Sequence, residues 1–190
     1  EWFHFTGITP ALSEGDAALC LEAARTAKAK KVRVSCDLNY RKNLWSAERA
    51  ASVMRGLMPY VDVLLANEED PEKVFGIKAE GSDVGSGELS REGYEKLARR
   101  LAEEFGFKAV AITLRKSVSA SDNGWSGMLY EDGQAHFSRE YDIHIVDRVG
   151  GGDSFAAGLI AAKLGGKDAA GAIEFAAAAS ALKHSIEGDF

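Results

Sequence analysis

Apolar segments that stop at a polar residue, separated by stretches with helical periodicity, restrict this chain's fold more than any other feature. Val32, Val34 and Cys36 alternate into a short strand that ends at Asp37. Residues 62–66 form a second, ending at Asn67, and residues 109–113 a third, ending at Thr113. Helical patterns lie between them. Ser13, with Asp16 three residues later, caps a helix that faces Ala17, Leu21 and Ala24 one way and runs to about Ala29. Further helices are expected over residues 47–58 and 91–105. Strands alternating with helices mean a parallel sheet, and in such sheets polar residues at the strands' carboxyl ends are where ligands bind. The apolar, aromatic stretch 2–8 reads as an interior strand, although almost nothing precedes it.

The texture changes after Thr113. Short apolar stretches around Val118, 125–130 and 134–139 are split by Asp122-Asn123-Gly124 and Glu131-Asp132-Gly133, which predicts antiparallel edge strands joined by turns. Residues 154–164 and 169–183 read as two Ala-rich helices whose small side chains allow close packing on the sheet. The segment Gly81-Ser82-Asp83-Val84-Gly85-Ser86-Gly87 has turn residues and little to bury, so a mobile surface loop is expected there and not a domain boundary. One α/β domain over residues 1–190 is the expectation.

Composition agrees and sets limits. A chain of 190 residues with 46% hydrophobic residues can fill one core. A net charge of -6 argues against a nucleic-acid surface, so an anionic ligand needs a local basic pocket. Cys20 and Cys36 are too few for a disulfide framework or a Cys-rich zinc site and fit a reducing cytoplasm. No apolar run approaches membrane-spanning length, so no membrane partner is expected. His4, His136, His144 and His184 show no ligand-like spacing and are read as structural.

Chemistry is concentrated in Val146-Asp147-Arg148-Val149-Gly150-Gly151-Gly152-Asp153-Ser154-Phe155. Three glycines allow positive φ and close backbone approach, and a helix starting at Asp153 turns free N–H groups and its dipole on whatever sits there. A phosphoryl group suits that turn, and Asp153 adds a carboxylate able to accept a proton beside it. A glycine-rich turn with an acidic helix start is the plainer alternative. The lysine-bearing phosphate loop is absent, since Gly166-Lys167 is followed by Asp168, and the dinucleotide fingerprint fails because its third glycine would be Phe155. Asp37-Leu38-Asn39-Tyr40-Arg41 brings a carboxylate, an amide and a guanidinium to a strand end, either as a site or as a solvated turn.

The glycine segment resembles the D-T-x-G-x-G-D signature of the ribokinase-like (PfkB) carbohydrate kinases, with Arg148 where Thr is commonest. Asp37, Asn39 and Arg41 resemble the D-x-N-x-R element of the same family. The resemblance implies a ribokinase-like three-layer α/β sandwich with a mostly parallel central sheet. It makes Asp153 the base that deprotonates a sugar hydroxyl, with the amides of Gly150, Gly151 and Gly152 as the anion hole, Gly150 and Gly152 also meeting ATP. Asp37, Asn39 and Arg41 become substrate contacts. Asn67-Glu68-Glu69-Asp70 is similar to the family's N-x-x-E element, implying that Asn67 and Asp70 support Mg²⁺, with Asp70 one methylene shorter than the usual Glu; a helix cap with an acidic first turn is the alternative. Thr113-Leu114-Arg115 stands where T-x-G commonly meets ATP, and Arg115 is a departure that either pairs with a phosphate or is an exposed strand-end arginine. Asp147 either braces the loop or sits beside a monovalent cation.

Residues 2–8, 37–45, 112–115 and 184–190 look most like those of 2-keto-3-deoxygluconate kinases. That implies ATP-dependent phosphorylation of the 6-hydroxyl of a keto-deoxy sugar acid. Fructokinases share the cradle, and a non-catalytic nucleotide-binding module is the competing class. Against the family pattern the chain lacks the N-terminal strands, the lid and the early sugar site, so it reads as a fragment with an incomplete pocket and poor turnover alone. Pairing of copies through the lid is implied where that N-terminal half is present.

Overall fold

The computed structural model describes residues 1–81 and 90–188. Most of the loop expected around residues 82–87, and the chain's last two residues, lie outside the described residues. Elements run β1 (Trp2–Thr6), α1 (Ile8–Leu12), α2 (Glu14–Ala29), β2 (Arg33–Asp37), α3 (Ala47–Leu57), a 3₁₀ turn (Met58–Tyr60), β3 (Val63–Ala66), α4 (Asp70–Phe75), α5 (Arg91–Phe105), β4 (Ala109–Ser117), β5 (Asp122–Glu131), β6 (Gln134–Phe137), β7 (Tyr141–His144), α6 (Gly151–Leu164) and α7 (Ala169–Lys183).

The sheet order is β1-β2-β3-β4-β5-β6, with β7 also on β5. Strands β1 to β4 are parallel, whereas β5 is antiparallel to β4, β6 and β7. Alternation along the parallel strands sorts their side chains into two cores. Leu64, Val110 and Ile112 pack with Met54, Tyr94 and Leu101 on one face. Val63, Leu65, Ala109 and Ala111 pack with Phe155, Leu159 and Ile173 on the other. Helices therefore cover both faces and give the three-layer α/β sandwich that the sequence predicts. α6 and α7 approach closely enough that a Cβ on Gly158 would lie 3.0 Å from Ala176 Cα.

Several boundaries differ from the sequence reading. β1 pairs with β2 alone among the described residues and lies at the end of the sheet order rather than inside it. It stops at Thr6 because Gly7 turns the chain into α1, with Gly7 N–H donating to Asp37 O at 2.8 Å. Asp122-Asn123-Gly124, expected as a turn, belongs to β5 and is held by pairing with β7. The turn falls just before it, where Asp122 O accepts from the N–H groups of Val118 and Ser119. β4 consequently runs four residues past Thr113. The turn at Asp132-Gly133 is where expected, both residues at positive φ as a two-residue hairpin requires. Among the described residues no helix is long and apolar enough to cross a membrane.

Candidate functional site

Parallel register brings the carboxyl ends of β1 to β4 to one rim. Thr6 stands opposite Asp37, Asp37 opposite Leu65, and Ala66 opposite Ile112. A cleft of about 520 Å³ opens there, lined by Asp37, Asn39, Arg41, Asn67, Asp70, Thr113, Arg115, Gly150, Gly152 and Asp153. Segments from both ends of the described chain, Thr6 and His184 among them, thus meet on one surface. Of the anticipated site residues, Gly151 alone lies behind the wall, buried beneath the turn.

The glycine turn is built as a helix start. Gly150 takes the left-handed conformation (φ 76°, ψ 0°) and caps α6, accepting from Ser154 N–H at 2.8 Å. α6 begins at Gly151, two residues earlier than Asp153, because the glycine cap already closes its first turn. Gly151 N–H turns back to Arg148 O at 3.4 Å, so it is the least available of the three glycine amides. The amides of Gly152 and Asp153 remain as unpaired donors of the first turn, at the positive end of a 14-residue helix. Asp147 braces the approach, its two carboxylate oxygens accepting from Val149 N–H at 2.9 Å and Gly188 N–H at 3.0 Å. Arg148 donates to Ala120 O at 2.6 Å and ties the same loop to the β4–β5 turn.

Opposite the turn, Asp37 Oδ2 lies 3.9 Å from the position a Cβ on Gly152 would take. Burial pushes the Asp37 carboxyl up to about 7; the charge of Asp70 adds to this, while the hydrogen bond from Asn39 N–H opposes it. Asn39 occupies a positive φ of 38°, and its side-chain amide donates to Thr6 Oγ1 at 3.1 Å. Both bonds fix the turn after β2. Arg41 is exposed and bonded only locally, to Tyr40 O at 3.5 Å, which leaves its guanidinium fork available.

Asn67 Oδ1 accepts from the N–H groups of Glu69 and Asp70, both at 2.8 Å, so its carbonyl is committed to the start of α4. Asp70 is buried, and its Oδ2 has no hydrogen-bond partner. Burial raises its carboxyl to about 6, against the opposing hydrogen bond from Asn67, the charge of Lys73, the hydrogen bond from Tyr40 and the charge of Arg41. An orphaned buried carboxylate oxygen beside a second crowded carboxyl is a hard-oxygen set that fits Mg²⁺. Among the described residues no cluster of three or more acidic, His or Cys side chains forms a complete metal cage. Thr113 is buried on β4, and Arg115 Nη2 lies 3.6 Å from the Glu68 carboxylate.

Glu68, Trp125 and His184 are among the cleft residues that the sequence reading did not assign to the site. Glu68 is buried and raised chiefly by desolvation, with its own backbone hydrogen bond and Arg115 opposing. The rings of Trp125 and His184 meet at a tilt of 53° with centroids 4.6 Å apart, and both residues line the cleft. His184 caps α7 and opens the family-like stretch 184–190, but no ligand-like spacing marks it for a role in the site.

The pfkB family carbohydrate kinase pattern matches residues 1–189. A 2-dehydro-3-deoxygalactonokinase of Haloferax volcanii is 31% identical over 187 residues, covering 98% of this chain and 52% of that protein. A 2-dehydro-3-deoxygluconokinase of Thermoproteus tenax is 28% identical over 188 residues, covering 98% and 50%. The crystal structure of 2-dehydro-3-deoxygluconokinase from Thermotoga maritima matches with a TM-score of 0.93 at 55% identity, over 100% of this chain and 55% of that one. The chain spans about half the length of the curated relatives it matches.

Proposed function

The chain belongs to the pfkB family of carbohydrate kinases, and from that premise we propose that it carries the phosphoryl-transfer end of an ATP-dependent kinase acting on the 6-hydroxyl of 2-keto-3-deoxygluconate. The observation that carries the reading is the meeting of Asp153, the Gly150 turn and the Asp37–Arg41 segment on one rim. The names of the Haloferax, Thermoproteus and Thermotoga relatives support a keto-deoxy sugar acid as substrate.

In this reading Asp153, exposed at the mouth of the helix, accepts the proton of the attacking hydroxyl. The charge gathering on the transferring group is met by the free amides of Gly152 and Asp153 and by the α6 dipole, with Gly150 shaping the turn and Gly151 letting it sit low. Arg41 supplies a bidentate fork for the sugar carboxylate, and Asp37 with Asn39 fixes the substrate side of the rim. Thr113 and Arg115 face the donor phosphates. Asp70 would hold Mg²⁺ with Asp37 nearby, and Asn67 sets the turn that presents Asp70. Bound there, Mg²⁺ would neutralise phosphate charge. Asp147, whose oxygens are both spent on backbone amides, braces the loop.

A coupled ADP-release assay with 2-keto-3-deoxygluconate and with fructose tests the reading. Faster release with the keto-deoxy acid is expected. Preference for fructose would move the protein to the fructokinase reading, and ATP binding with no release on any sugar would leave a nucleotide-binding module.

A further inference from the structure

We infer that His184 is a positioning residue of the anion turn: its ring, anchored through Ser180, sets the height at which Gly151 seats and so at which the first turn of α6 presents the amides of Gly152 and Asp153 to phosphate. The inference rests on the proposed phosphoryl-transfer reading and extends it to a residue whose spacing reads as merely structural.

One residue holds the turn from three sides. His184 Nδ1 is 2.7 Å from Ser180 O, and Ser180 Oγ donates to Gly151 O at 2.7 Å, so helix α7 grips both the ring and the carbonyl above it. The ring lies directly under Gly151, where an added Cβ would fall 2.6 Å from Cε1 and 2.8 Å from Nε2. The carbonyl of His184 accepts from the N–H groups of Val146 at 2.8 Å and Asp147 at 3.3 Å, which fixes the segment leading into the turn. Trp125 packs against the ring at a tilt of 53°, with centroids 4.6 Å apart. His184 and Ser180 are buried at 4% and 0% exposure, so neither bond competes with water.

A carbonyl oxygen accepts only, so Nδ1 carries the proton and the neutral ring keeps Nε2 bare. Burial favours that neutral form, and the cations Arg148, Lys183 and Arg115 add to it against the hydrogen bond to Ser180. The ring therefore acts as a spacer with one directed donor. A glycine is required at 151 because the spacer occupies the place of its side chain, which accounts for the middle glycine by packing rather than by backbone freedom.

The test compares substitutions that keep and lose the Nδ1 donor. Asn at 184 places its amide N–H near Nδ1, whereas Gln places it near Nε2, and both keep a polar side chain. ATP affinity by calorimetry is expected to fall about tenfold in His184→Gln and His184→Ala, equivalent to losing a buried hydrogen bond, and to recover largely in His184→Asn. Affinity for adenosine, which has no phosphate, is expected to stay level across the series. In a second arm, Gly151→Ala weakens ATP binding in the wild-type background and much less in His184→Ala, where space has opened. Equal ATP affinity in wild type, Gln and Asn variants overturns the inference while leaving the kinase reading intact. Equal losses for ATP and adenosine also overturn it, as a general structural effect. A wild-type chain that binds no ATP overturns the parent reading and this inference together.

Discussion

Half-buried Asp37 and buried Asp70 stand on the same cleft, and the charge of Asp70 adds to desolvation in lifting the Asp37 carboxyl to about 7. Asp70 itself rises to about 6, led by burial. An unfolded aspartate titrates near 3.9. Between about pH 4 and pH 7 the folded chain therefore binds more protons than the unfolded one, and stability falls as pH rises through that window. Denaturant titrations are expected to show Asp37→Asn gaining on the order of 2 kcal/mol over wild type at pH 8, with the gain disappearing near pH 4. A gain that is constant with pH would contradict the assignment of the raised carboxyl.

The same crowding predicts a response to Mg²⁺. At pH 8 both carboxylates are charged and Asp70 Oδ2 lacks a partner, so millimolar Mg²⁺ is expected to raise Tm of wild type and to do so less at pH 5, where protons compete. Asp70→Asn should lose most of the Mg²⁺ effect. A Tm rise unchanged in that variant would place the ion elsewhere.

Asp153→Asn retains the shape of the first turn of α6 but cannot accept a proton. Turnover in the ADP-release assay is expected to fall by at least ~100-fold, with ATP affinity by calorimetry within about threefold of wild type because the amides and helix dipole are intact. Unchanged turnover would remove Asp153 from the role of base.

Asp62 is a buried carboxylate at the opposite end of the sheet. It accepts from Lys28 Nζ at 2.7 Å and Val34 N–H at 3.0 Å, and lies 3.0 Å from Lys108 Nζ. Burial opposes its charge, but these partners together hold the carboxyl below its usual range. A depressed carboxyl stabilises the fold above the unfolded pKa and stops doing so as pH falls through the folded one. Asp62→Ala is expected to cost about 3 kcal/mol at pH 7 and clearly less near pH 2 to 3, measured by denaturant midpoint.

Gly7 ends β1 with no room for a side chain, since a Cβ there would fall 2.1 Å from Leu38 O. The obstacle is backbone, which cannot rotate away. Gly7→Ala is expected to destabilise the chain by more than about 2 kcal/mol and to displace the Asp37–Asn39 turn. An unaffected Tm would show that the close crossing at the cleft floor is not required.

Local chemistry was legible in the sequence wherever one segment could express it. Alternating Val34 and Cys36 before Asp37, the Ser13 cap of α2 and the Asp132-Gly133 hairpin turn depend on neighbours a few residues away, and the fold class followed from their order. The Gly150 turn was legible for the same reason, because a glycine run ahead of a helix is a property of consecutive backbone units. What the sequence could not contain is which residues share a wall. Asp122-Asn123-Gly124 spells a turn locally, yet pairing with β7 draws it into a strand. Asn67 looked like a metal ligand, and packing spends its carbonyl on the start of α4. His184 sits in a family-like stretch, yet its place under the turn was not legible, because that place arises from α7 docking under Gly151. Hydrogen-bond reach along the chain sets elements, so sequence determined them; burial and contact across the chain set the electrostatics of Asp37 and the height of the glycine turn, so only the tertiary structure decided those.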